Sequence, residues 1–241
     1  MNLLELIKVL LVLFFLLYAC VLDIRSRIVP NRVWKFMLLV NLPITAFQIL
    51  QTAVERPLSL FIAILGIAFV VVLSYLLYSL SLYGGADAKA LMCIGIIFPL
   101  YPEIGFFPIL NHGFGIFAFS VLANSVILAP FLVIGIFVRN LFKEGFKGFL
   151  RTPLYYLAGY RVPVEKIRFH NLFEFIDEKG VLRRVKKAVE PSEEMITRLR
   201  SAGLCRVWCT PALPFLIFIT FGYLSAIFLG DLIFAIISAL L

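Results

Sequence analysis

Two aspartates stand out in a chain that otherwise keeps charge out of long stretches. Asp23 closes an apolar run in "YACVLDIRSRIVPN". Asp87 opens another in "LYGGADAKALM", directly after Gly84, Gly85 and Ala86 and two residues before Lys89. Two carboxylates brought face to face share one proton, because like charges a few ångströms apart do not both ionise. The ionised member activates a water as general base; the protonated member donates to a substrate carbonyl and then assists the leaving amine. No other constellation in the sequence competes. His112 and His170 are the only histidines, no HExxH is present, and no Ser-His-Asp set is readable. Each aspartate alone also fits a solvated helix end, so the chemistry depends on the two meeting.

The elements that must position them are membrane helices. Of the 241 residues, 62% are hydrophobic, against about 45–50% in soluble domains, and the mean hydropathy is +1.03. Apolar runs near 20 residues repeat along the chain, and they are continuous rather than alternating, which excludes a barrel pattern. The reading is an all-α polytopic membrane protein with six transmembrane helices: 3–22, 33–50, 58–82, 88–100, 114–138 and 212–233. Residues 1–138 form helices 1–5 with the two aspartates. Residues 139–210 form a small α+β cytoplasmic insertion, and 211–241 form helix 6. The first span has no small-residue cleavage site before Asp23 and is read as a retained helix. Glu5 and Lys8 fall near its outer end. Pro57, Pro102 and Pro211 punctuate span ends.

Orientation follows from the basic residues. Arg25, Arg27, Arg32 and Lys35 crowd the first turn, and 139–210 carries an excess of Lys and Arg over Asp and Glu, so both are expected on the cytoplasmic side. The net charge of +8 is thereby assigned to membrane topology rather than to nucleic acid. Two loops on one side require an even number of crossings between them. That keeps the fourth span, although 13 residues reach only about 20 Å. Asp23 and Asp87 then both lie at the cytoplasmic edge. Asp23 is at a helix C-terminus, where the macrodipole opposes negative charge; Asp87 is at a helix N-terminus with Lys89 nearby, and both favour it. Gly84 and Gly85 are expected to let the chain turn sharply and approach an extended substrate strand. Within the insertion, "LFEFIDEKGVLRRV" predicts a hairpin turning at 177–180, "PSEEMITRLRSAG" a helix capped by Ser192, and "CRVW" a further strand.

These residues resemble a known family. "YGGADAKALM" resembles the GxGD-type motif of intramembrane aspartyl proteases, and Asp23 with "IRSRIVPN" resembles the first catalytic segment of the type IV prepilin peptidases. Within that group the chain is most similar to the archaeal preflagellin peptidases. The resemblance covers essentially the whole chain. It implies that Asp23 and Asp87 are the catalytic pair, with Gly84, Gly85, Ala86 and Lys89 as motif and supporting residues. It implies no metal and no cofactor. The substrate it implies is a preflagellin- or prepilin-like precursor, with a short basic class III signal peptide before an apolar helix. The enzyme would sit in the cytoplasmic membrane with its site at the cytoplasmic face. Ala86 departs from the motif's second glycine. The cysteine pairs found in the cytoplasmic loop of many bacterial relatives have no counterpart, so peptidase activity alone is implied. Two rival classes are a proton-coupled transporter using Asp23 and Asp87 as relay carboxylates, and a presenilin-like intramembrane protease. Relay residues are expected nearer the midplane. Asp231 interrupts the last apolar run and is read as an outer-interface residue. Lys89 is read as tuning Asp87 or meeting headgroups.

Overall fold

In the computed structural model of the chain, residues 3–55, 57–80, 82–102, 104–167, 169–211 and 215–241 are described. In chain order the helices are α1 (Leu3–Ser26), α2 (Asn31–Glu55), α3 (Pro57–Ser79), α4 (Gly85–Ile97), α5 (Phe117–Glu144), α6 (Phe146–Arg151), α7 (Pro153–Ala158), α8 (Glu193–Ser201), α9 (Phe215–Phe228) and α10 (Leu232–Leu240). Four strands, β1 (Tyr160–Pro163), β2 (His170–Ile176), β3 (Leu182–Val189) and β4 (Arg206–Pro211), lie between α7 and α9. The chain divides into two compact units, Met1–Ala129 with Pro214–Leu241, and Pro130–Leu213.

The first unit is helical, and it is built for lipid. Leu3–Ser26, Asn31–Gln51, Leu58–Ser79 and Phe117–Glu144 are long and apolar enough to cross a membrane; α9 is apolar but shorter. Its core gathers Leu16, Met37, Leu91, Ile94, Phe117 and Tyr223. Small residues let helices approach where hydrophobicity alone supplies no drive, since lipid is as apolar as the core. A Cβ on Gly95 would stand 2.7 Å from Val70 Cγ1, so α3 and α4 touch there. Gly222 of α9 backs onto Ser125 and the Val121 carbonyl of α5 in the same way.

Several boundaries differ from the sequence reading: α2 runs on to Glu55 and α5 to Glu144, and two further differences bear on charged residues. α1 continues one turn past Leu22. Ser26 Oγ donates to the Leu22 carbonyl at 2.9 Å, and Arg27 at φ 58 takes the left-handed conformation that closes helix C-termini. Asp23 therefore lies in the last turn of α1, not beyond it. The last apolar run, expected as one helix over 212–233, is two; Ala212 itself lies outside the described residues. α9 stops at Phe228, Gly230 takes φ 101, and α10 restarts with Asp231 as its N-cap. A side chain at 230 would meet the Asn111 carbonyl, so the break is fixed sterically as well as conformationally. Asp231 is not at a wet interface. It is 1% exposed, accepts from the Phe234 amide at 2.9 Å and from Ser120 Oγ at 2.8 Å, and holds the joint together.

The short α4 ends inside the protein. The Ile97 carbonyl accepts from Thr45 Oγ1 at 2.9 Å and from Lys8 Nζ at 3.4 Å. Lys8 also pairs with Glu5 at 3.1 Å and lies 4.7 Å from the centre of the Phe98 ring. Gln48 Nε2 donates to Glu5 Oε2 at 2.7 Å. Glu5 and Lys8 do lie near the end of the first span, and Lys8 is buried there with Glu5 largely so, at the C-terminus of α4. There the macrodipole favours a cation.

The second unit carries an antiparallel sheet in the order β1-β4-β2-β3. The predicted hairpin is β2–β3, with Asp177 Oδ1 accepting from the Val181 and Lys179 amides at its turn. The predicted helix is α8, capped by Ser192 Oγ, which accepts from the Met195 amide at 3.2 Å. α8 covers Leu172, Ile176 and Val207 with Leu199. The one buried carboxylate of this sheet, Glu174, accepts from the Trp208 amide at 3.1 Å and pairs with Arg184 at 2.9 Å.

Candidate active site

α1 brings Asp23 from its last turn, α4 brings Asp87 from its first, and both helices pack against α9. Asp23 lies near enough for its charge to act on Asp87. Asp87 is buried, 8% exposed. Its Oδ2 accepts from the Gly84 amide at 3.1 Å, which is the reach-back of a third-position helix residue onto the N-cap. Its Oδ1 is buried with no hydrogen-bond partner among the described residues. A carboxylate kept only for capping faces water or spends both oxygens on the helix end. A buried acceptor without a protein partner calls for an explanation, and a catalytic role is one such explanation. Asp23 is half-buried, with Arg27 in Coulombic range.

The backbone conformation of the two glycines is ordinary. Neither Gly84 nor Gly85 has positive φ, so no left-handed turn needs them. Gly84, at φ −69 and ψ 157, supplies room: a Cβ there would stand 3.0 Å from Asp87 Oδ2. A Cβ on Gly85 would meet only Tyr78 Cε2 at 3.6 Å, an ordinary contact. Ala86 fills the slot of the motif's second glycine within the first turn of α4 and packs against the core. A helical position favours Ala over Gly, so the departure is accommodated. Lys89 Nζ donates to Asn31 Oδ1 at 2.8 Å, tying the N-terminal part of α4 to the first residue of α2 rather than reaching for Asp87.

Three further residues line this place, and the sequence reading did not single them out. Cys20 lies one turn before Asp23 on the same helix face. It is within Coulombic range of both aspartates, and its Sγ is 3.2 Å from Thr220 Oγ1. Thr220 in turn donates to the Leu216 carbonyl at 2.8 Å. Tyr83 is within Coulombic range of Asp87, and its ring centre is 4.7 Å from that of Phe215. The three-residue step from Asp23 was a readable signal for Cys20, and adjacence to the glycines for Tyr83. Thr220 is 200 residues from Cys20 and had none.

The class of protein that carries this arrangement is given by comparison with known proteins. The chain belongs to the type IV leader peptidase family, whose model matches residues 10–134. The model described as archaeal peptidase A24 C-terminus type II matches residues 151–232. Among individual proteins, the chain is 27% identical over 230 residues to the preflagellin peptidase of Methanococcus voltae, covering 92% of this chain and 94% of that one. It is 26% identical to the preflagellin peptidases of Methanococcus maripaludis (90% and 92% covered) and Methanocaldococcus jannaschii (92% and 93% covered). The chain is thus a membrane protease of the leader-processing kind.

Proposed function

We propose that this chain is an aspartyl endopeptidase of the cytoplasmic membrane that removes the short basic leader from preflagellin- or prepilin-like precursors. Asp23 and Asp87 are its catalytic pair. The observation that carries the reading is Asp87 itself: a buried carboxylate with one open oxygen, under the charge of a second carboxylate from another helix. The similarity to preflagellin peptidases along nine-tenths of the chain supports the substrate class.

In this reading the pair holds one proton, which belongs to neither residue alone. The ionised carboxylate takes a proton from water as the hydroxide adds to the scissile carbonyl carbon. The protonated carboxyl gives its proton to the carbonyl oxygen, forming a gem-diol. The proton taken from water then passes to the amide nitrogen. The C–N bond breaks, one gem-diol hydroxyl returns its proton to the pair, and acid and amine leave. Arg25, Arg27, Arg32 and Lys35, which follow Asp23 within a dozen residues of sequence, support a cytoplasmic placement of the site. Six crossings follow if α4 with the segment after it makes the fourth and α9 with α10 the sixth. The precursor's apolar helix would lie against the spans while its leader reaches the aqueous face, so the cut falls just before that helix.

The test uses Asp23→Asn and Asp87→Asn proteins in lipid with a precursor as substrate. Asn keeps the shape and cannot ionise. Each variant should be folded and lose at least about 10²–10⁴-fold in rate, with the double variant little worse than either. A folded single variant that cleaves near the native rate sinks the aspartyl assignment. Cleavage in the middle of the precursor's apolar segment would instead favour a presenilin-like mode.

A further inference from the structure

α5 is 28 residues long, about 42 Å, against a hydrocarbon core of about 30 Å. Its last turn therefore projects past the core and carries Phe142 and Lys143. Gly145 at φ 75 then ends the helix and turns the chain into α6. α6 buries none of its residues. Phe146 and Leu150, four apart, share one of its faces, and Lys147 and Arg151 share the adjacent one. Phe142 is 86% exposed, Phe146 61% and Leu150 69%. Lys143, Lys147 and Arg151 are all exposed. The only acid in the stretch, Glu144, pairs with Arg161 at 3.7 Å.

This surface is not a loose flap. Tyr156 Oη donates to the Gly145 carbonyl at 2.8 Å. Asn140 Nδ2 donates to the Tyr156 carbonyl at 3.0 Å and to the Gly159 carbonyl at 2.6 Å. Phe149 packs between Phe137 and Tyr156 on the inner side. A segment anchored by one face, with large apolar groups and cations together on the other, matches an acyl–headgroup boundary. Its charge selects anionic headgroups. It also leaves a membrane-crossing helix directly, which brings it to the bilayer surface with no linker.

We propose that Phe142–Arg151 is an in-plane lipid-binding platform that inserts Phe142, Phe146 and Leu150 among acyl chains and holds anionic phospholipid headgroups with Lys143, Lys147 and Arg151. The platform anchors the sheet-bearing unit to the membrane surface independently of what the protease site does.

The test needs no activity. Leu150→Cys is made in full-length protein whose native cysteines are replaced, labelled with an environment-sensitive fluorophore, and reconstituted in phosphatidylcholine vesicles with and without phosphatidylglycerol. Val181→Cys, on the exposed hairpin turn, serves as reference. With phosphatidylglycerol present, the label at 150 should be quenched by lipid brominated near the headgroup and shielded severalfold from aqueous acrylamide; the label at 181 should not. The triple change Lys143→Gln, Lys147→Gln, Arg151→Gln should abolish the dependence on phosphatidylglycerol. Phe142→Cys repeats the measurement where the label at 150 disturbs folding. Acrylamide access at 150 equal to that at 181 in both lipids overturns the proposal. So does shielding that ignores lipid charge, or that arises only when a precursor protein is added.

Discussion

Gly84→Ala separates a catalytic role for this stretch from a merely structural one. Gly84 occupies an extended conformation open to any residue, so the backbone does not resist the change. Losing a glycine restricts the unfolded chain and adds about 0.4–1 kcal/mol of stability. An alanine N-cap is poorer than a glycine one by a comparable amount, on the order of 1 kcal/mol. The two nearly cancel, and stability should move by less than about 1 kcal/mol. The site is another matter. The new methyl would stand 3.0 Å from Asp87 Oδ2, a few tenths of an ångström too close. The carboxylate must rotate or retreat, and its bond from the Gly84 amide lengthens with it. Misplacement on that scale, up to an ångström, costs as much as about 10²-fold in rate. Gly85→Ala is the control, since its methyl makes only ordinary contact with Tyr78. The assay pairs thermal unfolding in detergent with initial rates of precursor cleavage. Gly84→Ala should unfold like the native protein and cleave slowly; Gly85→Ala should cleave at close to the native rate. Native-rate cleavage by Gly84→Ala, or a larger loss in Gly85→Ala, would refute the claim that room beside Asp87 is what the motif's first glycine provides.

Lys8→Met should destabilise the protein by up to about 3 kcal/mol, because it leaves the largely buried Glu5 without its cation. The pair Glu5→Gln with Lys8→Met should regain most of that in the same unfolding assay. Asp231→Ala should cost about 0.5–2 kcal/mol through the lost cap of α10 and leave the rate of precursor cleavage unchanged. At Asp177, amide bonds from Val181 and Lys179 and the Arg183 guanidinium hold the carboxyl below its ordinary range. Its contribution is present above the unfolded value of about 3.9 and disappears as pH falls through the lower folded value. Asp177→Asn should therefore speed hydrogen exchange in the β2–β3 hairpin at neutral pH, and the difference from the native protein should vanish in strong acid.

What was legible in the sequence was local or contrastive. Asp23 and Asp87 were visible because charge is scarce around them. The hairpin and α8 were visible because their turn and cap chemistry lies within a few residues of itself. The break in the last apolar run had a signal in Gly230 and Asp231. Its steric cause, the Asn111 carbonyl, arrives from more than a hundred residues away. The burial of Glu5 and Lys8 was hidden for the same reason, since a charged pair near a helix end looks identical whether it meets water or the end of another helix. Gly84 was read through its conformational freedom, the property glycine most often contributes. The folded geometry discloses a second reason for a glycine there, the absence of a methyl beside a carboxylate.

The buried end of α4 bears on how the chain is made. Lys8 enters the translocation machinery with the first helix, while its acceptor at Ile97 is still 89 residues from being synthesised. An ammonium alone in hydrocarbon is costly through that interval. Glu5, three residues earlier on the same helix face, travels with it as a private counter-ion. The first helix therefore carries a neutral pair into the bilayer and waits. When α4 arrives, the same cation docks the new helix by its end. The contact can therefore close only once the helix carrying Asp87 has been made.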